Sequence, residues 1–279
     1  MACEAAFRVV ARRYLADLTA NHETTSRGDP VALHQMRIAL THLRTAILFF
    51  SPMVADATQA QIRVELKWLN AHLGVIRDLD VAIERLKAIN KRRPQIPPHY
   101  RAWIAKRADI HRRLVRALRS ARYQRLVKST SDWIEHGPWS TMKGKEAARR
   151  RATPVAAYAV RNLTRWQKKL LKRSRKLPKM DAEKRHRLRL LNKKLCYSIE
   201  SFADLFAAQK CSVQQTGLKY LRKAQRALGH LNDDARSHSL AAALEREGVP
   251  ASVQFLSPKR ERRLMLTAAA AYRKLAALE

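Results

Sequence analysis

Two stretches of this chain place cations at helical spacing beside an apolar face. His34, Arg37 and Arg44 lie in the first, HQMRIALTHLRTAILFF, and His186, Arg189 and Lys193 in the second, HRLRLLNKKLCYSIESF. At about 100° per residue, Met36, Leu40, Leu43, Ile47 and Phe50 share one face, and the three cationic residues form a narrow stripe on its shoulder. Leu188, Leu195, Ile199 and Phe202 rebuild that face in the second stretch. Guanidinium forks match the oxygens of phosphate, and an ammonium serves as a point charge, so the chemistry on offer is recognition of a phosphate-type anion. A cation on the edge of a core loses hydration, which an anion can offset.

The histidines admit two roles. Each could be a structural residue hydrogen-bonded to Asp78 or Asp233, or a donor to phosphate, and a carboxylate fixing the ring tautomer allows both. His-x-x-Arg lacks a second ligand at the spacing a metal needs. The runs DLD (Asp78, Asp80) and NDD (Asp233, Asp234) are weak magnesium signals, and Arg77 with Asp78 reads as an internal ion pair or as a partner of the stripe. No phosphate loop, nucleophile elbow, zinc-protease or cofactor-binding signature occurs. These residues therefore point to binding without catalysis.

Helices must position the stripes. Asp29-Pro30 is an N-cap and first-turn pair before His34, and Asp181 opens the helix of His186. A first helix covers 3 to about 21, and a break follows at Thr24 to Asp29. From Asp56 to about Lys91 the seam Leu66, Leu69, Leu73, Ile76, Leu79, Ile83 and Leu86 is helical, with Gly74 inside it. KRRPQIPP, from Lys91 to Pro98, reads as a loop. Two Arg-rich helices follow, to about 135, and residues 136–153 read as a junction between halves. The plan then repeats: helices from Thr153-Pro154, from Asp181, from about Gln209 with Gly229 inside it, and from Ser257-Pro258. A glycine inside each long helix predicts a close crossing or a kink.

The expected fold is all-α: seven Gly, abundant Ala, Leu, Lys and Arg, and no long alternating run. Hydrophobic residues make up 46%, enough for a core, and the formal net charge is +34. Such an excess repels itself and calls for a polyanionic partner: nucleic acid, polyphosphate or an acidic membrane surface. Cysteines at 3, 196 and 211, odd in number and without a Cys-x-x-Cys pair, suit a reducing, cytoplasmic setting. No run approaches the ~18 apolar residues of a membrane span. The basic amphipathic start could imitate a transit peptide, but Phe7, Val10, Tyr14 and Leu18 keep helical spacing and favour a first bundle helix. The tryptophans show no spacing suited to base stacking. Nothing in the chain speaks to oligomeric state.

The doubled His-x-x-Arg pattern, each copy followed by Leu-Gly-x-x-[Arg/Asn]-Asp, resembles the CHAD family, the conserved-histidine α-helical domain. The second element is Leu73, Gly74, Arg77, Asp78 in one copy and Leu228, Gly229, Asn232, Asp233 in the other; His-to-Gly intervals are 40 and 43 residues. The resemblance covers nearly the whole chain. It implies one compact domain over 1–279, built of two pseudo-twofold-related helical bundles, about 1–140 and about 150–279, whose stripes face a central basic groove. It also implies binding of inorganic polyphosphate without catalysis, and association with polyphosphate granules. The candidate contacts are His34, Arg37, Arg44 and Lys67, with His186, Arg189, Lys193, Lys194 and Arg222. Arg77, Asp78 and Asp233 would support them, with no metal and no cofactor. The family's basic places at His plus seven and His plus ten hold Thr41 in the first copy and Cys196 in the second, so each stripe is incomplete. The alternatives are nucleic-acid binding by the same surface, with nucleic acid as a competitor, and, more remotely, a part in polyphosphate processing.

Overall fold

The computed structural model describes residues 1–90, 98–203, 212–248 and 256–278. The loop expected over Lys91 to Pro98 therefore lies mostly outside the described residues, as do Cys211 and the side chain of Phe202. The fold is all-α: α1 (Cys3–Ala20), α2 (His22–Ser26), α3 (Pro30–Phe49), α4 (Ser51–Val54), α5 (Ala57–Asn90), α6 (Pro98–Leu118), α7 (Ala121–His136), α8 (Lys145–Ala152), α9 (Val155–Ser174), α10 (Ala182–Ala203), α11 (Ser212–Arg246) and α12 (Pro258–Ala276). Among the described residues no strand forms; a single bridge pairs Ala2 with Pro154. No helix among them is long and apolar enough to cross a membrane.

The chain divides into two compact units. The first contains Met1–Asp80 and Ala105–Tyr158, the second Val81–Ile104 and Ala159–Glu279. The segment read as a junction, 136–153, lies inside the first unit. Its Trp139 is fully buried against Phe7, with ring centroids 5.3 Å apart, and the backbone N–H of Cys3 donates to the carbonyl of Thr153 at 2.9 Å.

In the first unit α1 packs on α3. Met36, Leu40, Leu43 and Ile47 of α3 are at most 1% exposed. Burial of each such side chain stabilises the unit by about 1.5–3 kcal/mol. The Asp29 carboxylate caps α3, accepting from the N–H of Val31 at 2.6 Å and of Ala32 at 3.2 Å. The far end of α3 sits on an aromatic cluster in which Phe7 meets Phe50, Trp133 and Trp139 edge-on. Tyr158 donates its hydroxyl to the carbonyl of Phe49 at 2.7 Å. Asp56 caps α5 through Gln59 N–H and accepts from the Trp133 indole at 3.1 Å. The predicted break after α1 contains the short helix α2, which starts where the Thr25 N–H finds the carbonyl of Asn21.

In the second unit α11 packs on α10 and α12, and one buried asparagine joins the three. The Asn192 amide donates to the carbonyl of Leu221 at 3.1 Å, and its oxygen accepts from the Tyr272 hydroxyl at 3.1 Å. Asn192 is 0% exposed, so these bonds satisfy a group whose burial would otherwise be costly. Gly217 lets α12 approach: a Cβ there would lie 2.8 Å from Leu275 Cδ1. Asp181 and Ser257 cap α10 and α12 as their sequence positions predict.

Candidate functional site

In the first unit α3 carries His34 exposed and Arg37 and Arg44 half-buried. Arg37 reaches α5 at Gly74. A Cβ on that residue would meet Arg37 Nη1 at 3.2 Å. In the second unit Arg189 of α10 lies against Gly229 of α11, where a Cβ would be 3.9 Å from Arg189 Nε. Neither interior glycine marks the expected close backbone crossing, since the atom nearest an added Cβ is an arginine nitrogen in both cases. They leave room for an arginine that descends from the facing helix. Arg189 Nε is buried and has no hydrogen-bond partner among the described residues.

Arg44 lies near Arg63 of α5. Burial first, and the charge of Arg63 second, pull the Arg44 guanidinium below its ordinary range. Among the described residues neither arginine has an ion-pair partner. Lys67, exposed one turn after Arg63, adds a third cation. Thr41, at the first missing basic place, is half-buried and donates its hydroxyl to the carbonyl of Arg37 at 2.8 Å. Sequence reasoning missed Arg63, although it falls on the face of α5 that holds Lys67 and Gly74.

The second unit is arranged differently. His186 Nδ1 is 2.5 Å from the side-chain oxygen of Asn232, so the ring donates there and keeps Nε2 for a second contact. This corrects the expected partner: it is Asn232, not Asp233, whose side chain makes no hydrogen bond among the described residues. Arg77, which occupies the place of Asn232 in the first copy, forms no ion pair with Asp78. Two residues on, the buried Asp80 carboxylate is held by Arg107 Nε at 2.5 Å. A cavity of about 310 Å³ opens beside His186 and Asn232, bordered by Arg185, Arg236, Leu228 and Leu231. The difference between Arg77 and Asn232 in otherwise matching motifs was the one sequence signal for this asymmetry.

The remaining candidates fall outside a single cluster. The Lys193 ammonium lies 5.1 Å above the Tyr197 ring, and Lys194 is exposed on α10. Arg222 is bound by Glu200 at 2.8 Å and so meets solvent as half of an ion pair. Cys196, the second missing basic place, is 1% exposed and faces the core, not the stripe. Burial pushes its thiol up to about 12, which keeps it neutral at physiological pH. Cys3 is also a buried free thiol. Among the described residues no three His, Cys, Asp or Glu side chains gather as a metal would need.

The family model described as CHAD domain matches residues 9–242. A crystal structure of the CHAD domain from the plant Ricinus communis superposes with a TM-score of 0.74 at 23% identity, covering 99% of this chain and 88% of that one. PptA from Streptomyces chartreusis superposes with a TM-score of 0.63 at 15% identity, over 100% of this chain and 96% of that one. None of the curated proteins matches the chain.

Proposed function

The chain belongs to the CHAD domain family, and from that premise we propose that it is a non-catalytic binding module for inorganic polyphosphate, acting at polyphosphate granules. The stripes of both repeats make the contacts: His34, Arg37 and Arg44 with Lys67 from one, His186, Arg189 and Lys193 from the other. The observation that carries this reading is the adjacency of Arg44 and Arg63. A partly desolvated guanidinium beside a second cation, with no carboxylate partner among the described residues, is unfavourable in the free protein. A run of phosphates relieves it, and counterion release adds to the gain. The glycines at 74 and 229 support the same reading, because in each unit an arginine of the motif lies over the glycine of the facing helix, at 3.2 Å and 3.9 Å from where a Cβ would stand.

Competition at about 150 mM salt, with long-chain polyphosphate against duplex DNA, single-stranded RNA, ATP and pyrophosphate, tests the ligand. Polyphosphate should win, and no phosphate should be released from it with magnesium present. Each charge-assisted contact contributes about 1–3 kcal/mol. Arg37→Ala with Arg189→Ala should therefore weaken binding by roughly two orders of magnitude, at about 1.4 kcal/mol per tenfold. Generic attraction to a +34 protein predicts almost no change. Equal loss from Arg262→Ala with Arg263→Ala on α12, both proteins remaining helical by circular dichroism, would sink the stripes as the site.

A further inference from the structure

From Val155 to Met180 the chain carries nine cations and no carboxylate. That segment is α9 and the turn after it, and all nine side chains are exposed. From Lys168 to Lys179 seven cations stand with no ion-pair partner among the described residues. Other basic helices of this protein supply their own acids. On α6 Asp109 faces Arg112 and Arg113, on α8 Glu146 faces Arg149 and Arg150, and on α10 Glu183 faces Arg187. One or two cations at a helix C-terminus offset its dipole. Seven exceed that need, and like charges one turn apart destabilise the helix. The run also lies outside both His-x-x-Arg copies.

We propose that the exposed face of α9 is a second binding surface, independent of the stripes, that holds the phosphate backbone of duplex nucleic acid without reading its sequence. Width is the first argument. At about 100° per residue the cations from Lys168 to Arg173 span an arc of about 140°, too broad for a single track and suited to phosphates on both sides of a groove. Length is the second: Arg161 to Arg173 covers about 18 Å of helix. The face offers no carboxamide to pair with adenine, since Asn162 and Gln167 are each 7% exposed, and its exposed arginines and lysines are the groups that hold phosphates. It also offers little that enters a lipid surface, Trp166 being half-buried. Leu163, Leu170, Leu171 and Leu177 are buried, and Val160 at the N-terminal end is the exposed large apolar residue of α9.

Fluorescence anisotropy with two short DNA duplexes of unrelated sequence, at about 100 mM salt, tests the surface. Changing Lys168, Lys169, Lys172 and Arg173 together to Ala should weaken both duplexes at least tenfold. The slope of log K against log salt should fall by about three to four, at roughly 0.9 per phosphate contact. Changing the three lysines to Arg should keep binding. Arg37→Ala with Arg189→Ala should leave duplex binding intact, so failure of the polyphosphate reading does not decide this one. Three results would overturn the proposal: equal loss when Lys259, Arg260, Arg262 and Arg263 of α12 are changed to Ala, a tenfold preference between the two sequences, or tighter binding of the α9 face to phosphatidylserine vesicles than to DNA. Circular dichroism keeps folding out of the comparison.

Discussion

In the first repeat Arg44 lies beside Arg63, and Lys67 follows one turn on. Counted from each motif's His and Gly, the second repeat holds Cys196, Leu218 and Arg222 at those places, and Glu200 stands where the first has Leu48. The thiol is neutral and buried, and Glu200 binds Arg222. At these places the first repeat thus holds three cations without a carboxylate, and the second a neutral thiol, a leucine and one ion pair. At the opposite end the asymmetry reverses: His186 is fixed by Asn232, whereas Arg77 stands at that place in the first repeat. What the two share is an arginine laid over a helix glycine. At Gly74 that contact leaves little room for a Cβ, which would lie 3.2 Å from Arg37 Nη1, whereas at Gly229 the 3.9 Å separation accommodates one. Charge, by contrast, acts over a Debye length of about 8 Å in physiological salt, so its placement is free to diverge between copies.

Placing the same substitution in both incomplete stripes should produce the largest contrast. Cys196→Arg drives a cation into a closed core, which costs about 3 kcal/mol. Its unfolding midpoint should fall by about 6–12 °C. Thr41→Arg, at a half-buried surface place, should leave the midpoint within about 2 °C and tighten polyphosphate binding several-fold. If thermal scans show the two variants equally stable, the second repeat's stripe is open at Cys196 and the two repeats do not differ there.

The flanking charges give the next test. Arg44→Ala should weaken polyphosphate roughly tenfold, about 1.4 kcal/mol. Arg222→Ala should cost less than about twofold, because an exposed cation already in an ion pair has little left to give. Glu200→Gln frees that cation and should tighten binding roughly threefold. Titrations in which Arg44→Ala and Arg222→Ala lose equally would erase the difference between the repeats.

The glycines give the smallest effect. Ala at either place raises helix stability by about 1 kcal/mol. At Gly74 the added Cβ meets Arg37 Nη1 at 3.2 Å and must displace it, whereas at Gly229 the 3.9 Å separation is ordinary contact. Gly74→Ala should therefore weaken binding about twofold to threefold while Gly229→Ala leaves it unchanged, with both midpoints raised. Equal binding by the two variants would show that Arg37 adjusts freely and that the first repeat's contact is no tighter than the second's.

The helices, their caps and the doubled motif were legible from the residue order, since each depends on neighbours within one or two turns. Asp29, Asp181 and Ser257 cap the helices their positions predict, and Leu40, Leu43, Leu188 and Leu195 are buried as a 3.6-residue period requires. Periodicity also placed Arg37 and Arg189 on a shoulder. It could not say what faces them, because a helix face has a direction but no address. The pairings of His186 with Asn232, of Arg222 with Glu200 and of Asp80 with Arg107 join residues 46, 22 and 27 apart in sequence. Only the packing of one helix on another selects them. The same holds for the division into units, which assigns α5 residues up to Asp80 to the first unit and those from Val81 to the second. A continuous helical pattern carries no mark of such a change, because the local hydrogen bonds that make the helix are identical on either side of it.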